Sequence, residues 1–218
     1  TLHFVDKKKL LVEFPVSLMG REFLLGSKVV ETSDMGNGPA GTMSYTPRHI
    51  KFAVVDSTLY MKEVSRTGQN MIFSSSANQN MQEGLKKNSL STIVDAFTIA
   101  AFNKDSSAVV VDMTSYFVSH TENMNPFSSG KRTMEYGSGR QAVKFKDDLS
   151  YLMGVKAFED NVSIISKLTY LMNLSVGGQL VSVDEPVSIT VNRTLLLLPE
   201  KPQMRPRLAD PRIGIGTV

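Results

Sequence analysis

Leu149-Ser-Tyr-Leu-Met-Gly-Val-Lys-Ala-Phe-Glu-Asp-Asn-Val-Ser-Ile-Ile-Ser-Lys-Leu-Thr-Tyr170 decides the fold class. Leu149, Tyr151, Met153, Val155 and Ala157 fall on one face of an extended strand. Val162, Ile164, Leu168 and Tyr170 fall on one face of the next. A period of two places alternate side chains on the same side of a pleated strand. Between the two runs Glu159-Asp160-Asn161 supplies turn chemistry, because short carboxylate and amide side chains bond their own backbone. The stretch reads as an antiparallel hairpin.

The same reading extends outward in both directions. Downstream, Gly177-Gly178 marks a further turn, and Val187, Ile189 and Val191 alternate with Ser188 and Thr190 into Leu195–Leu198, a run expected to be fully buried. Upstream, Leu10–Phe14 ends at Pro15, and Glu22–Thr32 follows the turn at Met19-Gly20. Ile50, Phe52 and Val54 pair through Asp56-Ser57 with Thr58–Val64. Ile93–Phe102 and Ala108–Met113 flank the loop Asn103-Lys-Asp-Ser106, and Thr114–His120 is a short helix candidate. Residues 68–88 are polar and read as loop or a short helix, 121–139 are a second polar connection, and Asp34–Gly41 is a glycine-rich loop. The class predicted is α+β, mainly β: roughly ten strands in antiparallel hairpins forming one twisted sheet or sandwich, with few short helices. Residues 1–200 are expected to form a single β-rich domain.

Residues 201–218 differ in kind. Pro202, Pro206 and Pro211 remove backbone donors and fix φ, while Lys201, Arg205, Arg207 and Arg212 face the single acid Asp210. This reads as an extended, basic strap leading to a downstream domain that the chain does not include. Arg205, Arg207, Asp210 and Arg212 are the candidate interdomain contacts, since guanidinium groups suit bidentate pairing with carboxylates.

Composition narrows the function classes. With 41% hydrophobic and 21% charged residues, 218 residues are enough for a real core. No apolar run is long enough to span a bilayer as a helix. The net charge of +3 is spread along the chain, apart from Lys7-Lys8-Lys9 and the strap. Those clusters lack the interleaved aromatic platforms of single-strand binders, so nucleic acid is not an expected partner. The chain has no cysteine, which excludes disulfides, thiolate zinc sites and thiol nucleophiles.

Catalytic motifs are not legible. His3, His49 and His120 have no second histidine or carboxylate at metal-ligand spacing; His49, beside a strand start, is the one of most interest. The glycines of 36–41 and of Gly137-Ser-Gly139-Arg140 meet neither the Walker nor the dinucleotide pattern. Asp147-Asp148 and Glu159-Asp160 fall in predicted turns, where carboxylates are solvated or capping. The phenylalanines fall mostly at inward strand positions and are expected to pack the core. No catalytic, metal or cofactor-binding residue is expected in this segment.

Several stretches resemble a family. Phe14-Pro-Val-Ser-Leu-Met-Gly-Arg-Glu-Phe-Leu-Leu25, Val110-Val-Asp-Met-Thr114 and Val155-Lys-Ala-Phe158 with Asn161-Val162 are similar to its motifs. The most specific are Thr194-Leu-Leu-Leu-Leu-Pro-Glu200 and Met204-Arg-Pro-Arg-Leu-Ala-Asp-Pro-Arg-Ile-Gly214. The resemblance is to the domain of unknown function found ahead of the catalytic domain in large zinc-dependent metalloproteases of Bacteroides and related bacteria. The family's tail continues with an aromatic pair after that glycine, where this chain has Ile215-Gly216.

The resemblance implies a non-catalytic accessory domain of an exported protease, destined for periplasm, outer membrane or exterior. Its implied partner is a downstream catalytic domain of the same chain, carrying the zinc and its His-Glu-x-x-His helix, with peptide as substrate. A free-standing surface module for glycan or peptide is the alternative. A hydrolase built on scattered carboxylates is a third reading, and it requires two acids facing each other in a pocket.

Overall fold

In the computed structural model, the described residues are 1–6, 8–34, 38–43, 46–64, 83–84, 87, 90–119, 125–127 and 140–200. Ten strands form in chain order: β1 (Leu2–Val5), β2 (Lys9–Pro15), β3 (Glu22–Thr32), β4 (Arg48–Val55), β5 (Thr58–Glu63), β6 (Thr92–Phe102), β7 (Ala108–Asp112), β8 (Arg140–Ala157), β9 (Asn161–Val176) and β10 (Gln179–Leu197). Among the described residues a 3-10 turn, Val16–Leu18, follows β2, and a one-turn α-helix, Thr114–Phe117, follows β7. Thr114 N–H donates to the Asp112 carboxylate at 2.9 Å, an Asx turn just ahead of the helix, which starts where the sequence placed it.

The strands make one antiparallel sheet in the order β1-β2-β7-β6-β5-β4-β3-β10-β9-β8. The sheet curls until its end strands β1 and β8 touch, so it is nearly closed into a barrel rather than divided into a sandwich. Tight turns make the meanders. Gly177 (φ 60°) and Gly178 (φ 83°) join β9 to β10 with both central residues in the left-handed region, a requirement of the type I′ hairpin that glycine meets without strain. Asp56 (φ 52°), the first of the two residues between β4 and β5, also takes the left-handed region.

Inward rows follow the period of two. Phe23, Leu25 and Val29 on β3, Ile50 and Phe52 on β4, and Ile164, Leu168 and Tyr170 on β9 are buried. Phe14, Phe23 and Phe52 meet across the lumen with ring centroids 4.7–6.0 Å apart, the tilted spacing that aromatic quadrupoles favour. The core has two parts. One fills the barrel around these rings. The second lies further along β9 and β10, where Leu168, Tyr170, Val187 and Ile189 pack under Phe127 and Phe145.

Three expectations are corrected. Leu149, Tyr151 and Met153 are not an inward row, for each is about half exposed, and Leu152 is the buried residue. The register of β8 against β9 slips between Lys146 and Tyr151 and again between Leu152 and Gly154. A bulge inserts a residue and reverses the face presented by the residues after it, which lets Leu152 and Val155 both reach the core. Asp147-Asp148 is not a turn but part of the first of these irregularities, with Asp148 3.1 Å from Lys146 Nζ. Leu195–Leu198 is not fully buried either: it continues the alternation of β10, and Leu196 is 37% exposed.

Candidate functional site

The barrel lumen contains a polar layer that the period-two rows cross at one level. On β3 the row runs Phe23, Leu25, Ser27, Val29; on β9, Ile164, Ser166, Leu168; on β10, Val191, Arg193, Leu195. Arg193 is paired with Ser27 across β3 and β10. Its side chain is fully buried and lies where the two apolar clusters meet. Arg193 Nη1 donates to the Phe117 carbonyl, and Ser166 Oγ donates to the same oxygen at 2.7 Å.

That oxygen belongs to the last residue of the one-turn helix. Helix ends leave carbonyls without intrahelical donors, and a nearby cation favours the negative end of the backbone dipoles. Arg193 and Ser166 therefore hold the helix as a plug in the lumen. Tyr116 and Phe117 stack edge-on to one another with ring centroids 5.1 Å apart, and Phe97 meets Tyr116 at 5.6 Å.

Burial dominates the titration of this layer. It brings the Arg193 guanidinium down to about 10, with Tyr170 and Tyr116 acting in the opposite direction. It pushes the Tyr116 phenol up to about 12 and raises that of Tyr170. Arg193 is thus a cation and both phenols are neutral near pH 7. An alkaline stability profile checks this. A phenol at about 12 in the fold and near 10 when unfolded contributes stability that is complete below pH 10 and is lost as pH rises through 12. A guanidinium lowered by burial to about 10 in the fold has the opposite sign, since the folded state releases its proton before the unfolded one. Two phenols outweigh one guanidinium, so the melting temperature is expected to fall steadily above pH 10. Phenolate absorbance of Tyr116 and Tyr170 is expected only with unfolding. A flat profile from pH 9 to pH 11.5, or titration of both phenols in the folded chain, would contradict the assignment.

Phe117 is also part of the floor of an open cavity at one end of the barrel. The cavity has a volume of about 240 Å³ and is walled by Phe14, Phe23, Phe52, Ile164, Leu195 and Leu197. The topology explains its position. β2 and β3 follow each other in the chain but lie far apart in the sheet, so Val16–Arg21 must bridge this barrel end, and Leu18 joins the lining. Glu13, Glu159 and Asp160 also line the cavity, with Phe158 beside them and 60% exposed.

The chain leaves the barrel at the same end. Leu197 N–H donates to Asp160 O at 2.8 Å, and Leu198 N–H to Glu22 O at 2.9 Å. Arg21 donates to the Leu198 carbonyl at 3.1 Å and pairs with Glu200 at 3.0 Å. The strap residues Arg205, Arg207, Asp210 and Arg212, together with His120, lie outside the described residues. His49 Nε2 is 2.8 Å from a Glu22 carboxylate oxygen and His3 Nε2 is 3.5 Å from one of Glu13. Among the described residues, no three His, Cys, Asp or Glu side chains gather closely enough to hold a metal ion. No helix among them is long and apolar enough to cross a membrane.

The sequence reading did not find the lumen layer, and its signal was an arginine at an inward position of the last strand. The profile of a family described as a domain of unknown function, DUF5117, matches residues 41–218. No curated protein matches the chain. No solved structure matches it either.

Proposed function

The chain belongs to the DUF5117 family, and from that premise we propose that it is a non-catalytic accessory domain of an exported zinc-dependent metalloprotease. In this reading the barrel works by contact, packing on the downstream catalytic domain and shaping its cleft. The resemblance of Thr194–Glu200 and Met204–Gly214 to the segment that leads into such catalytic domains supports it. The observation that carries it is the fixed exit of the chain. Arg21, Glu22 and Asp160 fasten Leu197–Glu200 beside the apolar mouth. A domain carried beyond Glu200 on a short strap is therefore presented to the mouth end of the barrel. The basic residues Arg205, Arg207 and Arg212 would then meet carboxylates of that neighbour. Zinc belongs to the neighbour in this proposal, because the donor set among the described residues does not fit a metal.

The test is the full reading frame. It is expected to encode a His-Glu-x-x-His helix after Val218, and its product to cleave peptides. Deleting the barrel is expected to lower kcat/KM by about fivefold or more, the low end of coupling between contacting sites. A reading frame without a zinc-binding helix, or unchanged turnover after deletion, would refute the proposal.

A further inference from the structure

The barrel mouth has the size, walls and charge of a recognition pocket. An enclosed apolar cavity of about 150 Å³ suffices for benzene, and sites for drug-sized ligands begin near 300 Å³. At about 240 Å³, the mouth fits one side chain of phenylalanine or leucine size. Its walls are phenyl and aliphatic groups, so an apolar occupant gains by leaving water. Glu159 and Asp160 stand around them, while Glu13 lies beside His3 and the Thr1 ammonium, and no Lys, Arg or His is among the described residues that line the cavity. Glu159 and Asp160 form no ion pair among the described residues. Phe158 N–H is bonded to Asn161 O at 2.8 Å, and its side chain is largely exposed.

We propose that the mouth binds a peptide segment in which an aromatic or leucine-sized side chain is followed by a basic residue. The apolar side chain fills the cavity above Phe117. The basic one lies against Glu159 and Asp160, where an arginine can also stack on Phe158. The pocket disfavours other classes. A fatty chain is too long for this volume, and an anionic headgroup is repelled by the Glu159 and Asp160 carboxylates. A sugar would find walls that offer it few hydrogen-bonding groups. The site does not require the downstream domain, so this proposal and the accessory-domain reading fail separately.

Titration of the full chain with acetyl-Phe-Arg-amide, followed by backbone amide NMR shifts, tests it. Saturable shifts are expected at Phe14, at Phe158–Val162 and at Leu195–Leu197. Acetyl-Ala-Arg-amide is expected to bind at least about tenfold more weakly, the worth of burying one large apolar side chain. Acetyl-Phe-Glu-amide is expected to bind more weakly than the basic probe, by a margin that shrinks in high salt. Val162→Trp, which fills the mouth, should abolish the shifts. The exposed pair Glu159→Lys and Asp160→Lys should reverse the charge preference without disturbing the core. Absence of saturable shifts, equal binding of the alanine probe, or preference for the acidic probe overturns the proposal. So does displacement of residues 201–218 by the probe, which would make the chain's own tail the occupant.

Discussion

Arg193→Ala is expected to destabilise the barrel by about 3–5 kcal/mol, the range for removing a large, fully buried side chain. Two losses combine. The truncation leaves a void at the level where the two apolar clusters meet, and it withdraws a charge-assisted donor from the Phe117 carbonyl. In thermal unfolding this corresponds to a fall of roughly 6–20 °C for a chain of this size. Arg193→Met separates the two causes. It keeps most of the volume and removes a charge whose burial is itself costly, while Ser166 Oγ still donates to Phe117 O. The methionine variant is therefore expected within about 2 kcal/mol of the parent. If alanine and methionine proved equally damaging, the guanidinium contact would matter more than the packing. If alanine cost less than about 1 kcal/mol, the full burial of Arg193 would be wrong.

Phe52→Ala is the second large effect, again about 3–5 kcal/mol. Phe52 is 2% exposed, stands on β4 opposite β2, and touches both Phe14 and Phe23. Its loss removes two ring contacts and opens the wall between the mouth and the interior. The two neighbouring rings stand on β2 and β3, which do not pair with each other, so they cannot collapse together to refill the space. Denaturant unfolding should show a lower midpoint with an unchanged slope. Phe52→Leu, which restores much of the volume, should recover more than half of the loss. A Phe52→Ala cost below about 1.5 kcal/mol would show that the lumen repacks freely.

The strands were legible because their periodicity and turn residues agree. Gly177-Gly178, Asp56-Ser57 and Asn103–Ser106 each end one alternating run and begin the next, and each is a hairpin connection in the structure. Closure was not legible. Whether one sheet or two forms depends on which non-consecutive strands pair, and the sequence carries no local mark of the β2–β7 and β3–β10 ladders. The face of β8 was misread because a bulge changes the phase without changing the composition. Arg193 was overlooked for a related reason. A charge between Val191 and Leu195 resembles an interruption until Ser27 and Ser166 are placed beside it by register.

Residues 1–40 precede the matched part of the chain, yet they supply β1, β2 and β3. The barrel therefore extends the matched segment rather than coinciding with it.

The position of β10 sets the order in which this chain can be finished. β10 joins β9 to β3, so a nascent chain lacking residues 179–197 can assemble two separate pieces, one from β1 to β7 and one from β8 and β9. Each piece ends in an uncovered strand edge that invites pairing with another chain. Ladders linking residue 23 to residue 197 close a very long loop, and such non-local pairings form slowly. Synthesis of the last strand is then the moment at which aggregation-prone halves become one body.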